Sequence, residues 1–199
     1  ALIAGYYYFA KYESNQTRIT FRPGIAQKID LFGNRRRQAL GLDLRMDYFL
    51  NNDSLSDYSG GIFSAQPYLD MDLSPYRIRI GLQADYRMDS ASKFHLYPMI
   101  EAEASLLEKM IIVYAGAEGG LERVRFEGIS SENPFVNSIL PLDYMNNTMI
   151  VYGGVKGRIT EIVDFNVGLR YSVTENMPLF VNDTSGILLN TFGLVYDDV

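Results

Sequence analysis

The sequence contains no cysteine, so neither a disulfide frame nor a thiolate metal site can organise the fold. Tryptophan is absent and histidine occurs once, at His95, which leaves little material for imidazole chemistry. No stretch approaches the roughly 18 consecutive apolar residues of a transmembrane helix. Basic residues are the minority. The 18 Lys and Arg against 24 Asp and Glu give a net charge of −6, the wrong balance for a surface that binds nucleic-acid phosphates. No phosphate loop, calcium loop or zinc spacing occurs, so no cofactor or metal is expected.

What the sequence does have is alternation. Over 76–88, Tyr76, Ile78, Ile80, Leu82, Ala84, Tyr86 and Met88 share one face, and Arg77, Arg79, Gly81, Gln83, Asp85 and Arg87 share the other. A strand with one apolar and one charged face fits a sheet between lipid and water, and about 10 such residues cross a bilayer. In 40–50 the inward series is Gly41, Asp43, Arg45, Asp47 and Phe49. In 94–106 it includes His95, Glu101 and Glu103, in 111–121 Glu118, and in 163–173 Asp164 and Arg170. Weaker versions lie at 3–12, 17–31, 60–72, 147–159 and 187–198. Ten strands are therefore expected, in an all-β, antiparallel, up-and-down transmembrane β-barrel.

Two further signals agree with a barrel. The connections at 13–16, 51–59, 89–93, 125–146 and 174–186 are mostly long, whereas those at 32–38, 73–75, 107–108 and 160–162 are mostly tight. Outer-membrane barrels sort their extracellular loops and periplasmic turns in this way. Outward aromatics also fall near strand ends, with Tyr12, Tyr48, Tyr86, Phe94 and Tyr171 above and Tyr76, Phe165 and Tyr196 below. Two belts around an aliphatic band match the headgroup levels of a membrane. The expected location is the outer membrane of a Gram-negative bacterium, with its lipid as the first partner.

The inward face supplies the candidate lumen-lining residues: Asp43, Arg45, Asp47, Arg77, Arg79, Asp85, Arg87, His95, Glu101, Glu103, Glu118, Lys156, Arg158, Asp164 and Arg170. A hairpin closed by Asp89–Lys93 would place Arg79 opposite Glu103, Arg87 opposite His95 and Asp85 opposite Tyr97. A turn at 160–162 would set Arg158 opposite Asp164 and Lys156 opposite Asn166. Opposite charges across a ladder contribute about 0.2–1 kcal/mol each. These charges read either as a salt-bridged, filled lumen or as a selective pore lining. The glycine pairs Gly119-Gly120 and Gly153-Gly154 lie inside strands, where close packing accounts for them.

The 125–146 connection carries Phe126, Pro134, Phe135, Val136, Ile139, Leu140 and Pro141, too apolar for a solvated tether. It would fold into the mouth, contact another outer-membrane protein or pack on neighbouring loops; 174–186 invites the same readings. His95 beside Asp85 or Asp89 raises a hydrolase as a third function, although no enzyme is expected.

The run from Val151 to Val199 carries Tyr152-Gly153-Gly154-Val155-Lys156-Gly157, the segment Asn176 to Thr184, and Val195-Tyr196-Asp197-Asp198. It resembles uncharacterised outer-membrane barrels of Bacteroidota, some of them labelled after TonB-dependent receptors. The resemblance covers about a quarter of the chain. It implies one barrel domain over 1–199 that is a fragment of a larger barrel, incomplete at both ends. No plug domain or TonB box is visible, which speaks against TonB-driven uptake, and the resemblance assigns no site residues. The leading functional expectation is a structural or accessory subunit of an outer-membrane assembly, contacting partners through 125–146 and 174–186. The alternative is a passive, porin-like channel for small solutes.

Overall fold

A computed structural model describes residues 2–9, 15–30, 37–52, 57–89, 92–107, 110–137, 140–158, 163–182 and 191–199. They form one antiparallel meander: β1 (Leu2–Phe9), β2 (Asn15–Arg22), β3 (Gly24–Ile29), β4 (Arg37–Asn52), β5 (Asp57–Leu73), β6 (Tyr76–Met88), β7 (Lys93–Leu106), β8 (Ile111–Arg123), β9 (Tyr144–Arg158) and β10 (Asp164–Glu175). A short helix, α1 (Phe126–Glu132), follows β8, and a separate hairpin joins β11 (Met177–Asn182) to β12 (Phe192–Asp197). No helix here is long and apolar enough to cross a membrane, which says nothing of the strands.

The strand expected over 17–31 is interrupted at Pro23, which has no N–H to give to the ladder. The register with β4 is nonetheless continuous, with Phe21 opposite Met46 and Gly24 opposite Asp43. The Pro23 carbonyl still accepts from Leu44 N–H at 2.9 Å. β2 and β3 therefore act as one rung, and the wall has nine.

Alternation sorts the two faces as expected. Leu40, Leu42, Met46, Ile80, Leu82, Leu96, Ile100 and Val167 are exposed on the outer face. On the other face of β4 to β6 the side chains are mostly buried or half-buried, with Asp47, Asp85 and Ser64 nearly inaccessible, whereas Glu101, Asp164, Asn166 and Arg170 on later strands stay exposed. In water this arrangement would be inverted; against lipid it removes about 25 cal/mol per Å2 of apolar surface from solvent. Several inward glycines make room for tyrosine rings lying across the ladder. A Cβ on Gly41 would run into the Tyr68 ring, and one on Gly116 into Tyr152, and each of these residues faces its tyrosine in register. Gly119 meets Tyr97, and Gly154 meets Tyr114, so the paired glycines do serve close packing.

Departures from the expected fold gather at the end that bears the long connections, here called the rim. The segment expected to be a loop at 174–186 continues β10 to Glu175, turns at Asn176 (φ 58°) and re-enters a ladder as β11. Its partner is β12, the described part of the strand expected at 187–198. β12 therefore pairs with β11 rather than with the wall, although Thr174 and Val199 exchange backbone hydrogen bonds of 2.6 and 2.8 Å. Residues 183–186 of that expected loop, the turn residues 13–14, 32–36, 53–56, 90–91, 108 and 160–162, and Tyr12 and Ile139 lie outside the described residues.

The expected 125–146 loop contains α1, and β9 already begins at Tyr144. Val124, Phe126, Ile129, Leu140 and Leu194 form a core there, with Val136, Leu142, Met145, Phe180 and Tyr196 packed around it. Of the readings open for this loop, packing against the neighbouring segment describes what is seen. Tyr196 accordingly belongs to the rim and not to a lower aromatic belt: its hydroxyl accepts from Asp143 N–H at 3.0 Å. Tyr48, Tyr86, Phe94, Tyr171 and Tyr76 are exposed as expected, and Phe165 is half-buried.

Candidate functional site

The concave face of the wall carries the polar chemistry, and its organisation differs from the one-to-one charge ladder expected. The 88–92 turn sets a different β6–β7 register: Arg79 faces Glu101, Asp85 faces His95, Arg77 faces Glu103 and Arg87 faces Lys93. The slip is by two residues, so every side chain keeps its face while changing its partner. It is accommodated because Arg87 turns away from Lys93 to Asp89 (2.6 Å) and Asp143 (3.3 Å). The other expected register holds, with Asp164 opposite Arg158 and Asn166 opposite Lys156.

Toward the lower end, Arg77 and Arg79 both reach Asp70, at 2.8 and 3.0 Å. Lys156 does not pair along its own ladder but reaches past β8 to Glu103 at 2.9 Å. Arg158 and Asp164 meet at 2.8 Å on the exposed lower margin, not deep in a lumen. Glu101, Glu103, Tyr114, Tyr152, Lys156 and Asn166 line a recess of about 370 Å3. Asp43 lies beside Gly24 on the β3–β4 ladder, apart from both recesses described here.

Nearer the rim the wall folds inward. β8 pairs with β7 only as far as Ala117, opposite Ile100. Beyond that, Leu121 N–H donates to Asp85 Oδ2 at 2.8 Å, tying β8 to β6. The ladder with β9 slips between Glu118 and Gly120, and Thr148 is passed over by both β8 and β10. Leu121, expected on the lipid face, is instead 4% exposed and packs with Phe49, Ile62 and Tyr144. The physical reason is that Thr148, surplus on β9, bends the ladder there, and β8, no longer paired with β7, is drawn to Asp85 and carries Leu121 off the lipid face.

Beneath this inturned rim is a recess of about 420 Å3. Asp47, whose side chain is 1% exposed, anchors one side of it. Its Oδ1 accepts from Thr20 Oγ1 at 2.5 Å and from Arg18 at 2.9 Å, and Arg45 makes an ion pair with its Oδ2 at 3.0 Å. Arg18 and Arg123 lie over the Phe49 ring, with guanidinium carbons 5.6 and 5.9 Å from its centroid. Arg123 and Arg87 flank Tyr144 at 5.0 and 4.1 Å. Planar guanidinium groups stack on aromatic faces while leaving edge N–H donors available. Glu118 and Arg170, both expected in the lumen, also line this recess, together with Gln83, Asn147 and the backbone of Gly119 and Gly120.

Asp85 is fully buried, with Oδ2 accepting from Gln83 Nε2 and Leu121 N–H, both at 2.8 Å. His95 faces it across the ladder and stacks on Tyr97, ring centroids 6.1 Å apart and nearly parallel. No hydrogen bond joins His95 to Asp85 among the described residues. Nor do three His, Asp or Glu side chains converge there as metal ligands.

Alternation supplies the inward candidates but omits Arg18, Arg22, Arg123 and Arg125, all of which line the upper recess. Arg18, Thr20 and Arg22 recur at every second position, a signal present in the sequence but masked by the break at Pro23. Arg123 and Arg125 sit where alternation has already failed.

Solved structures with this fold include the siderophore receptor PirA from Pseudomonas aeruginosa, at a TM-score of 0.56 and 15% identity. The copper transporter OprC, also from Pseudomonas, is similar at a TM-score of 0.51 and 11% identity. The sheet has the fold of an outer-membrane β-barrel wall. The alignments cover 94% and 93% of this chain but only 38% and 33% of those proteins. No family model and no curated protein matches the chain.

Proposed function

We propose that the chain is part of a bacterial outer-membrane β-barrel that admits small solutes to its polar interior, without catalysing a reaction on them. The observation that carries this reading is the contrast between the two faces. An exterior made mostly of exposed apolar side chains backs an inner face that carries two polar recesses. That two structural neighbours are described as a receptor and a transporter supports the same reading.

The full-length protein, reconstituted in a planar bilayer, should give discrete conductance steps. Correctly folded, heat-modifiable protein that leaves the bilayer silent would remove the solute-passage reading. A second reading, an accessory subunit of a larger outer-membrane assembly, is favoured by apolar side chains left uncovered at the rim, Phe135 foremost at 65% exposure. Gentle detergent extraction followed by mass spectrometry tests it, and a lone monomer counts against it.

A further inference from the structure

We propose that the recess beneath the rim is a binding site for small solutes carrying several carboxylate or phosphate oxyanions. This rests on the reading above that solutes enter the interior, and it adds their chemical class. The recess is lined by six arginines, Arg18, Arg22, Arg45, Arg123, Arg125 and Arg170. The acids lining it are Asp47, Glu118 and Glu122, so six positive charges against three leave a formal surplus of three. In a chain of net charge −6 such a concentration is not a sample of overall composition.

These arginines differ in how far the fold already uses them. Arg18 and Arg45 share the single carboxylate of Asp47, so that trio keeps one positive charge. Arg123 is held over Phe49 and Tyr144 and donates to the Leu142 carbonyl at 3.3 Å. Arg125 reaches Glu127 only at 3.7 Å. Arg22 and Arg170 are exposed and have no ion pair among the described residues. The first set is a rigid cationic floor fixed by aromatic stacking and the second a pair of uncommitted forks, each able to hold a carboxylate or phosphate through two parallel N–H bonds. The inward fold of the rim adds low-dielectric walls from Phe49, Ile62, Leu121 and Ile150, which strengthen charge recognition. Neutral donors from Gln83 and Asn147 complete the lining. The lower recess has the opposite character, with Glu101 and Glu103 against Lys156 alone, so the preference belongs to the rim end.

The test is calorimetric titration of the detergent-purified full-length protein with citrate and with pyrophosphate, using sucrose and spermidine as neutral and cationic controls. At least one anion should bind saturably, and the two arms separate carboxylate from phosphate recognition. Binding should weaken at least about tenfold in the Arg22→Gln/Arg170→Gln double variant, a loss of about 1.4 kcal/mol, and should fall with added salt. Arg158→Gln, outside the recess, should leave it unchanged. Both substituted sites are exposed, and heat-modifiable mobility of each variant checks that it has folded. Failure of both anions to bind, equal affinity for sucrose or spermidine, or an unaltered double variant would overturn the proposal. Conductance steps without anion binding would sink this inference alone, whereas a silent bilayer would remove the reading beneath it.

Discussion

The middle of the wall and its rim obey different rules although the same strands run through both. In the middle, between β6 and β7, pairing is one-to-one and alternation decides every side chain's environment. At the rim the ladders slip, β8 leaves β7, and apolar residues gather into two clusters that ignore the two-residue period. Lipid can solvate only a continuous apolar band, so the middle has no freedom to depart from alternation. The rim faces water, where apolar side chains are stabilised by burying one another.

The contrast should break most sharply at Phe49, which joins the two regions from the end of β4. Phe49→Ala should cost about 3–5 kcal/mol, because it opens a cavity and strips the stacking platform from Arg18 and Arg123. Denaturant titration in detergent would read this, and a loss below about 1 kcal/mol would mean that the inturned rim is not packed. Next in size is Leu82→Arg on the lipid face of β6, expected to cost about 2–4 kcal/mol near the bilayer midplane and to lower the outer-membrane yield. Phe135→Arg at the exposed rim should leave that yield unchanged, and equal losses from the two would erase the distinction.

The smallest effect concerns pH. Burial raises the Tyr196 phenol above its ordinary value, with the Asp143 N–H bond opposing. A folded-state value above the unfolded one means that the contribution of Tyr196 is complete below about pH 10 and is lost as pH rises through the raised value. Alkaline loosening of the β11–β12 hairpin, followed by hydrogen exchange, should therefore disappear in Tyr196→Phe.

The same division explains what could be read from sequence. Strand positions and faces in the middle were legible because a period of two is local information, and Arg158 opposite Asp164 followed from a tight turn. The β6–β7 register was not, since a five-residue turn and a slip of two leave the alternation pattern unaltered. Leu121 was assigned to lipid because nothing local marks the irregularity at Thr148. The segment 177–182 looked like a loop because Asn176 precedes it and Pro178 lies within it, whereas its partner lies on the other side of residues 183–191. The recess suffered most: its arginines come from β2, β4, β8, β10 and the segment before α1, and only the folded sheet brings them together.

The irregularity of the ladders at the rim can be traced to one surplus residue. Thr148 gives β9 a greater contour length than either strand beside it over the same span, and its hydroxyl donates to the Val173 carbonyl at 3.1 Å. A longer strip bonded between two shorter ones cannot stay flat; it buckles, beside the point where β8 leaves the β7 ladder and Leu121 turns to Asp85. Excising Thr148 should therefore bring both ladders of β9 back to one register and release Leu121 from Asp85, a change in residue number that no substitution of a lining side chain reproduces.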